Sequence, residues 1–274
     1  MPVSDADTVV ILAAGRGTRM REAADVALLP EQATAADRGL KMLVPIHGRP
    51  FLAYVLDEVA AAGFAEVGIV VGPGEGGSPD PVRHAAGALE TPLRVRFAVQ
   101  PLPRGGADAV LAAESVVRNR SFVVINADNI YPADVLRRLR VLDGPGLAAF
   151  DRHVLVSRSN IPPQRIAAYA VVRDEGGWLT EIIEKPEPAD LARFDDAPVS
   201  MTCWRFDPSI FDACRAVRPS VRGEVELPDA VALAIRQGTR FRVVPACAGV
   251  LDLSRREDIP MLERLLERSA ERRE

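Results

Sequence analysis

The chain has 274 residues, 48% hydrophobic and 26% charged, enough to bury a sizeable core as one large α/β domain or two smaller ones. Against 38 Asp and Glu stand 34 Lys and Arg, a formal net charge of −4 with no long basic run, which argues against a nucleic-acid partner. No apolar stretch approaches the ~20 residues that a membrane span needs. Residues 1–7 are acidic and lack a signal peptide's basic and apolar regions, and the three cysteines, Cys203, Cys214 and Cys247, fit neither a zinc site nor a disulfide framework. A reducing cytoplasm is the expected compartment.

In chain order, Val9–Leu12 reads as a buried strand, and Phe51, Leu52, Val55, Leu56 and Val59 recur at three and four residues as on an amphipathic helix. Val67–Val71 and Arg94–Val99 are strands, Ala107–Val117 a helix, Phe122–Ile125 a strand and Pro132–Val141 a helix. Strand and helix alternate, which predicts a doubly wound, mostly parallel sheet covered on both faces, with its ligand crevice at the carboxyl ends of the strands. After Phe150 the pattern becomes β-rich. Ile166–Val172 and Trp178–Ile183 read as a hairpin around Asp174-Glu175-Gly176-Gly177, and Val199–Phe206 as a further strand. Helices are expected at Pro208–Val217, Pro228–Arg236 and Arg255–Arg268, the last with Ile259, Leu262 and Leu266 towards the core. Gly72–Pro79 reads as a loop and Arg21–Gly39 as a long connection. There is no internal repeat, so 1–274 is expected to be a single α/β domain, halved near residue 150.

Residues 12–19, Leu12-Ala13-Ala14-Gly15-Arg16-Gly17-Thr18-Arg19, follow the first strand directly. Such a loop exposes backbone N–H groups that can close on a phosphate, and its two arginines add charge with fork geometry. Taken alone it is equally a tight turn with solvated arginines. A dinucleotide fingerprint is excluded, because the third glycine is missing. Lys41 precedes an apolar run, either as a strand-edge lysine or as a mobile charge on a polyphosphate. Gln100 ends a strand before Gly105 and Gly106. Its amide suits the edge of a nucleobase, although a plain strand–turn–helix link reads the same way.

Two carboxylates complete the pattern. Asp128 follows Ile125-Asn126 at the end of an apolar strand, as a turn cap or a cation ligand, and Asp252 stands in apolar surroundings that call for a metal or a basic partner. Two carboxylates with phosphate oxygens and water would make a hard-oxygen shell for Mg²⁺. In Glu184-Lys185-Pro186 a strand delivers a carboxylate able to bind hydroxyls beside a cation able to hold phosphate, or simply a surface charge pair.

In this order the pieces resemble the sugar-1-phosphate nucleotidyltransferases, over roughly residues 9–259. Tyr169-Ala170-Val171-Val172 and Gly223-Glu224 belong to the same ordered set. The resemblance implies a Rossmann-like nucleotide-diphospho-sugar transferase fold whose β-rich second half binds sugar. By it, Leu12 to Thr18, Gln100, Gly105 and Gly106 bind the nucleotide, with Gln100 reading the base. Arg19, Lys41 and Lys185 act on the phosphates, Asn126, Tyr169, Ala170 and Glu184 bind the sugar, and Asp128 and Asp252 hold Mg²⁺. The implied substrates are a nucleoside triphosphate, with a lean towards uridine or thymidine, and a hexose-1-phosphate. Cytidylyl or molybdopterin-type transfer and a catalytically silent regulatory relative are the alternatives. The chain departs from the family pattern at Gly106, usually threonine, at Ala170, usually glycine, in the length between Arg19 and Lys41, and at Leu253-Ser254, usually Gly-Thr; these mark an outlying subgroup. Oligomeric state is not legible in the sequence.

Overall fold

A computed structural model describes residues 6–74, 80–187 and 196–271, together with Ala189 and Arg193. The expected Gly72–Pro79 loop therefore lies, from 75 onward, outside the described residues. The first half contains β1 (Thr8–Leu12), the short pair β2 (Pro45–Ile46) and β3 (Arg49–Pro50), β4 (Glu66–Val71), β5 (Arg94–Val99), β6 (Phe122–Asn126) and β7 (Asn129–Ile130). Between them run α1 (Thr18–Arg21), α2 (Pro30–Asp37), α3 (Phe51–Ala61), α4 (Pro81–Ala88), α5 (Gly106–Ala112) and α6 (Glu114–Val117), and α7 (Ala133–Arg140) follows. The second half adds β8 (Gly146–Phe150), α8 (Arg152–Arg158), α9 (Pro163–Ile166), β9 (Ala170–Glu175), β10 (Trp178–Ile183) and β11 (Val199–Phe206). It ends with α10 (Ile210–Ala216), α11 (Leu227–Arg236), β12 (Arg242–Ala246), β13 (Leu251–Asp252) and α12 (Asp258–Glu271).

Nine strands form one sheet in the order β5-β4-β1-β6-β11-β8-β12-β10-β9. The block β5-β4-β1-β6 is parallel, and its middle strands are apolar on both faces because helices cover both. Val10, Val124, Trp204 and Phe206 belong to the core on one side, and Val9, Ile11, Val123 and Ile125 to the core on the other, as the period of two requires. The chain passes from β1 to β4 and β5 on one side and returns to β6 on the other, which opens a crevice at the carboxyl ends of β1 and β6.

β11 runs antiparallel between β6 and β8, so the sheet is mixed. Its second part pairs with β6 through Trp204–Val124, while its first part turns to β9 through Val199–Val171 and Ser200–Ala170. The register shifts between Ser200 and Trp204, a bulge that parts β11 from β6 at the crevice.

The structure moves some expected boundaries. The hairpin expected from Ile166 pairs β9 with β10, but its first strand begins at Ala170 because Pro163 at a first helical position starts the turn of α9. The helix expected over Ala107–Val117 divides at Ala113, where Ala113 N–H reaches back only three residues to Val110 O at 3.0 Å. The connection 21–39 contains α2 and returns to the first loop.

Candidate active site

β1 ends at Leu12, and Ala13 N–H donates to Val70 O at 2.8 Å, which fixes the start of the loop on the sheet edge. The two glycines then differ. A Cβ on Gly15 would meet nothing within 4 Å, so the approach to its backbone is open. Gly17 has φ +60°, and a Cβ there would lie 2.0 Å from Gly39 O; Gly39 itself has φ +71°. Gly17 thus serves the close approach of the 21–39 connection, while Gly15 keeps the free face that a phosphate needs. Arg256 pins both sides of this junction, donating from Nε to Met20 O at 2.9 Å and from Nη2 to Asp37 Oδ1 at 2.5 Å. Arg16 and Arg19 are exposed and make no ion pair among the described residues.

The carboxylates meet from the middle and the end of the chain. β6 leads through Ala127, whose N–H donates to Leu12 O at 3.1 Å, to Asp128, which pairs with the ammonium of Lys41. β7 and β13 pair Asn129 with Asp252, and Leu253 N–H donates to Asp128 O at 2.9 Å. Asp252 is buried. Its Oδ2 accepts from Asn129 Nδ2 at 3.0 Å and its Oδ1 from Arg165 Nη1 at 2.7 Å, and Asn160 grips its backbone with bonds of 2.8 and 2.6 Å. Arg165 also reaches Asp258 Oδ1 from Nη2 at 2.9 Å. Burial, and then the charge of Asp128, push the Asp252 carboxyl above the usual range, although Arg165 draws it down. The hard oxygen donors of Asp128 and Asp252 fit a Mg²⁺ ion. Among the described residues no group of three or more His, Cys, Asp or Glu could hold a metal, so phosphate oxygens and water would have to complete its shell.

Beside this pair a polar cavity of about 110 Å³ opens at the β11 bulge. Five residues expected at the site line it: Leu12, Gly106, Asn126, Ala170 and Glu184. Six that sequence reasoning missed join them: Ser200, Thr202, Trp204, Glu226, Leu227 and Pro228. Thr202 sits at φ 57° and Lys185, next to Glu184, at φ 47°. A β-branched residue in the left-handed region is strained, and such strain collects at functional sites. Burial, and next the charge of Glu226, raise the Glu184 carboxyl to about 7, against the lowering effects of Lys185 and Arg222. Glu226 is itself paired with Arg222 at 2.7 Å. The Tyr169 hydroxyl is buried with no hydrogen-bond partner among the described residues, and burial raises it strongly, with Asp252 adding to the effect. Lys185 is exposed.

Gln100 lies at the end of β5 with 4% of its surface exposed. Its amide nitrogen donates to Gly105 O at 3.2 Å and to Asp108 Oδ2 at 2.8 Å. Gly105, at φ +125°, would put a Cβ 2.5 Å from Val225 O. There the loop clasps the 223–227 segment, with Val225 N–H on Arg104 O at 2.7 Å and Ala107 N–H on Val225 O at 2.9 Å. This clasp delivers Glu226 to the cavity. Gly105 is therefore spent on packing, whereas Gly106 lines the cavity.

A sequence profile of the nucleotidyl transferase family matches residues 8–246. The glucose-1-phosphate thymidylyltransferase of Streptomyces griseus is 32% identical over 239 residues, 85% of this chain and 58% of that protein. The UTP–glucose-1-phosphate uridylyltransferase AglF of Haloferax volcanii is 30% identical over 264 residues, 94% of this chain and 96% of that one. The chain thus spans under two thirds of the Streptomyces protein and nearly all of the Haloferax one. The crystal structure of a UDP-glucose pyrophosphorylase complexed with UDP-glucose shares the fold, with a TM-score of 0.71 at 19% identity, over 96% of this chain and 99% of that one. The sheet, the loop after β1 and these matches lead to one conclusion: the chain belongs to the nucleotidyl transferase family.

Proposed function

We propose that the chain is a sugar-1-phosphate nucleotidyltransferase, converting a nucleoside triphosphate and a hexose-1-phosphate into a nucleotide sugar and pyrophosphate. One observation carries the reading: the loop with the open Gly15, the Asp128–Asp252 pair and the cavity bearing Glu184 all meet at the carboxyl edge of β1 and β6. The named relatives act on glucose-1-phosphate with thymidylyl or uridylyl transfer, which supports UTP or dTTP as the nucleotide.

In this reading an oxygen of the sugar phosphate attacks the α-phosphorus in line. A new O–P bond forms as the bond to the pyrophosphate oxygen breaks. The sugar phosphate is already ionised at neutral pH, so no general base is required. Asp128 and Asp252 would hold Mg²⁺, which when bound supplies charge neutralisation on the phosphate oxygens. The Gly15 loop receives the polyphosphate, and Arg16 and Arg19 bring unpaired cationic charge to it. Arg19 stabilises the departing pyrophosphate, Lys41 brings charge beside Asp128, and Lys185 orients the attacking phosphate. Glu184 accepts from sugar hydroxyls, with Asn126 and Ala170 lining the same cavity and Tyr169 next to Ala170 in the chain. Gln100 meets the base.

Catalysis here is positioning and electrostatics, since the protein forms no covalent bond to substrate. No helix among the described residues is long and apolar enough to cross a membrane, and the three cysteines are free, which supports a cytoplasmic enzyme. The test is pyrophosphate release across a grid of nucleoside triphosphates and sugar-1-phosphates, with Mg²⁺ and with chelator. Turnover with at least one pair, lost on chelation and in Asp128→Ala, is expected. A wild-type rate in Asp128→Ala would overturn the metal assignment, and silence across the whole grid would overturn the activity.

A further inference from the structure

The amide of Gln100 can face only one way. Gly105 O and Asp108 Oδ2, which contact its nitrogen at 3.2 and 2.8 Å, are both pure acceptors, so the NH₂ end must point at them. A carbonyl cannot turn, and a carboxylate has no proton to offer. The remaining atom, Oε1, accepts no hydrogen bond among the described residues, yet it is not one of the sealed orphan atoms, so it still reaches solvent. The other oxygen of Asp108 is also engaged, by the exposed Arg104 at 3.1 Å. Gln100 therefore offers an acceptor alone, at the end of β5 and bonded to Gly105, the chain neighbour of Gly106 in the cavity wall.

We propose that Asp108 is a positioning residue that makes Gln100 an acceptor-only reader of the base, and so selects nucleoside triphosphates whose base offers a ring N–H. Uracil and thymine carry a donating N3–H, and guanine a donating N1–H. Cytosine N3 and adenine N1 are acceptors, and set against Oε1 they leave two lone pairs facing each other in a desolvated place. Asp108 touches no substrate in this scheme; it acts through Gln100. The inference rests on the reading above that Gln100 meets the base.

The test compares kcat/KM for UTP, dTTP, GTP, CTP and ATP, at a fixed sugar-1-phosphate, in the wild type and in Asp108→Asn, Asp108→Glu and Gln100→Ala. In Asp108→Asn the side-chain amide can turn its own NH₂ to Gln100, which leaves only the longer contact to Gly105 O holding the Gln100 amide's orientation. The preference for UTP over CTP is expected to fall roughly ten-fold or more. Asp108→Glu restores an acceptor and should return most of that preference. Gln100→Ala should erase it. An equal loss for every nucleotide in Asp108→Asn, or an unchanged UTP-to-CTP ratio there while Gln100→Ala shifts it, overturns the role of Asp108 and leaves base reading by Gln100 standing. An unchanged ratio in Gln100→Ala overturns both. A wild-type preference for CTP or ATP also overturns the proposal.

Discussion

Asn129 and Asp252 face each other across the β7–β13 pair, and Asn129 Nδ2 donates to Asp252 Oδ2 at 3.0 Å. Residues 123 positions apart in sequence thereby share one hydrogen bond, beside the turn that carries Asp128. The two carboxylates belong to the first half and the end of the chain, and the short β7–β13 pair holds them at one place.

Asp252→Asn keeps the shape of this contact but removes a negative charge. If the pair holds Mg²⁺, activity should fall on the order of a hundred-fold or more, because a metal site supplies several kcal/mol of charge stabilisation. The Mg²⁺ concentration for half-maximal rate should rise as well. Steady-state rates over a Mg²⁺ titration check this, and an unshifted titration curve would remove Asp252 from the metal site.

Arg165 spans two buried carboxylates, 2.7 Å from Asp252 and 2.9 Å from Asp258, and the carboxylates are 5% and 6% exposed. Arg165→Met should cost roughly 3–5 kcal/mol, because it strands buried charge. Asp258→Asn added to it should recover part of the loss, a coupling that a double-mutant cycle in urea would measure. Simple additivity of the two changes would mean that the bridge contributes little.

Gly17 and Gly15 should respond differently to alanine. At Gly17 the new methyl would fall 2.0 Å from Gly39 O at φ +60°, so Gly17→Ala is expected to lower stability by about 2 kcal/mol or more. Gly15→Ala finds open space and should change stability by less than about 0.5 kcal/mol while raising KM for the nucleotide. Thermal melts with nucleotide kinetics on both variants separate the packing glycine from the ligand-facing one. Equal stability losses would contradict the assignment.

Glu184 gives the site a pH signature. Its carboxyl is raised to about 7 by burial and by Glu226, so the fold favours its neutral form. The contribution to stability is complete below the ordinary carboxylate value near 4.5, and is lost as pH rises through about 7. Glu184→Gln should therefore flatten the fall in stability of the ligand-free protein between those limits, and should weaken sugar-phosphate binding above pH 7. Melting temperatures of both proteins from pH 4.5 to 8 are the measurement. Parallel curves would show that Glu184 titrates normally.

Much of this site is local and therefore legible in the sequence. A buried strand emptying into a glycine–arginine loop, an aspartate at the end of Phe122–Asn126, and Glu184 before a proline are written in neighbouring residues. So are the alternating elements of the first half, because strand and helix periods show within a short window. Leu12, Gly106, Asn126, Ala170 and Glu184, which the family resemblance implied as site residues, line one cavity. The loop's two glycines looked alike in sequence, since a positive φ and an open approach to backbone leave the same letter.

What only the tertiary structure decided is which distant groups meet. Arg165 carries no local mark, yet it is the basic partner that a buried Asp252 requires. Thr202 gains its strain from a bulge that exists because β11 inserts antiparallel between β6 and β8 and then turns to β9. Nothing local marks Asp108, in the first turn of α5, as the partner of Gln100; only the fold sets its Oδ2 against that amide. Backbone pattern depends on neighbours in the chain, so the sequence alone determined the order of elements and the chemistry at their ends. Desolvation and charge pairing depend on neighbours in space, and those were set by the order of strands in the sheet.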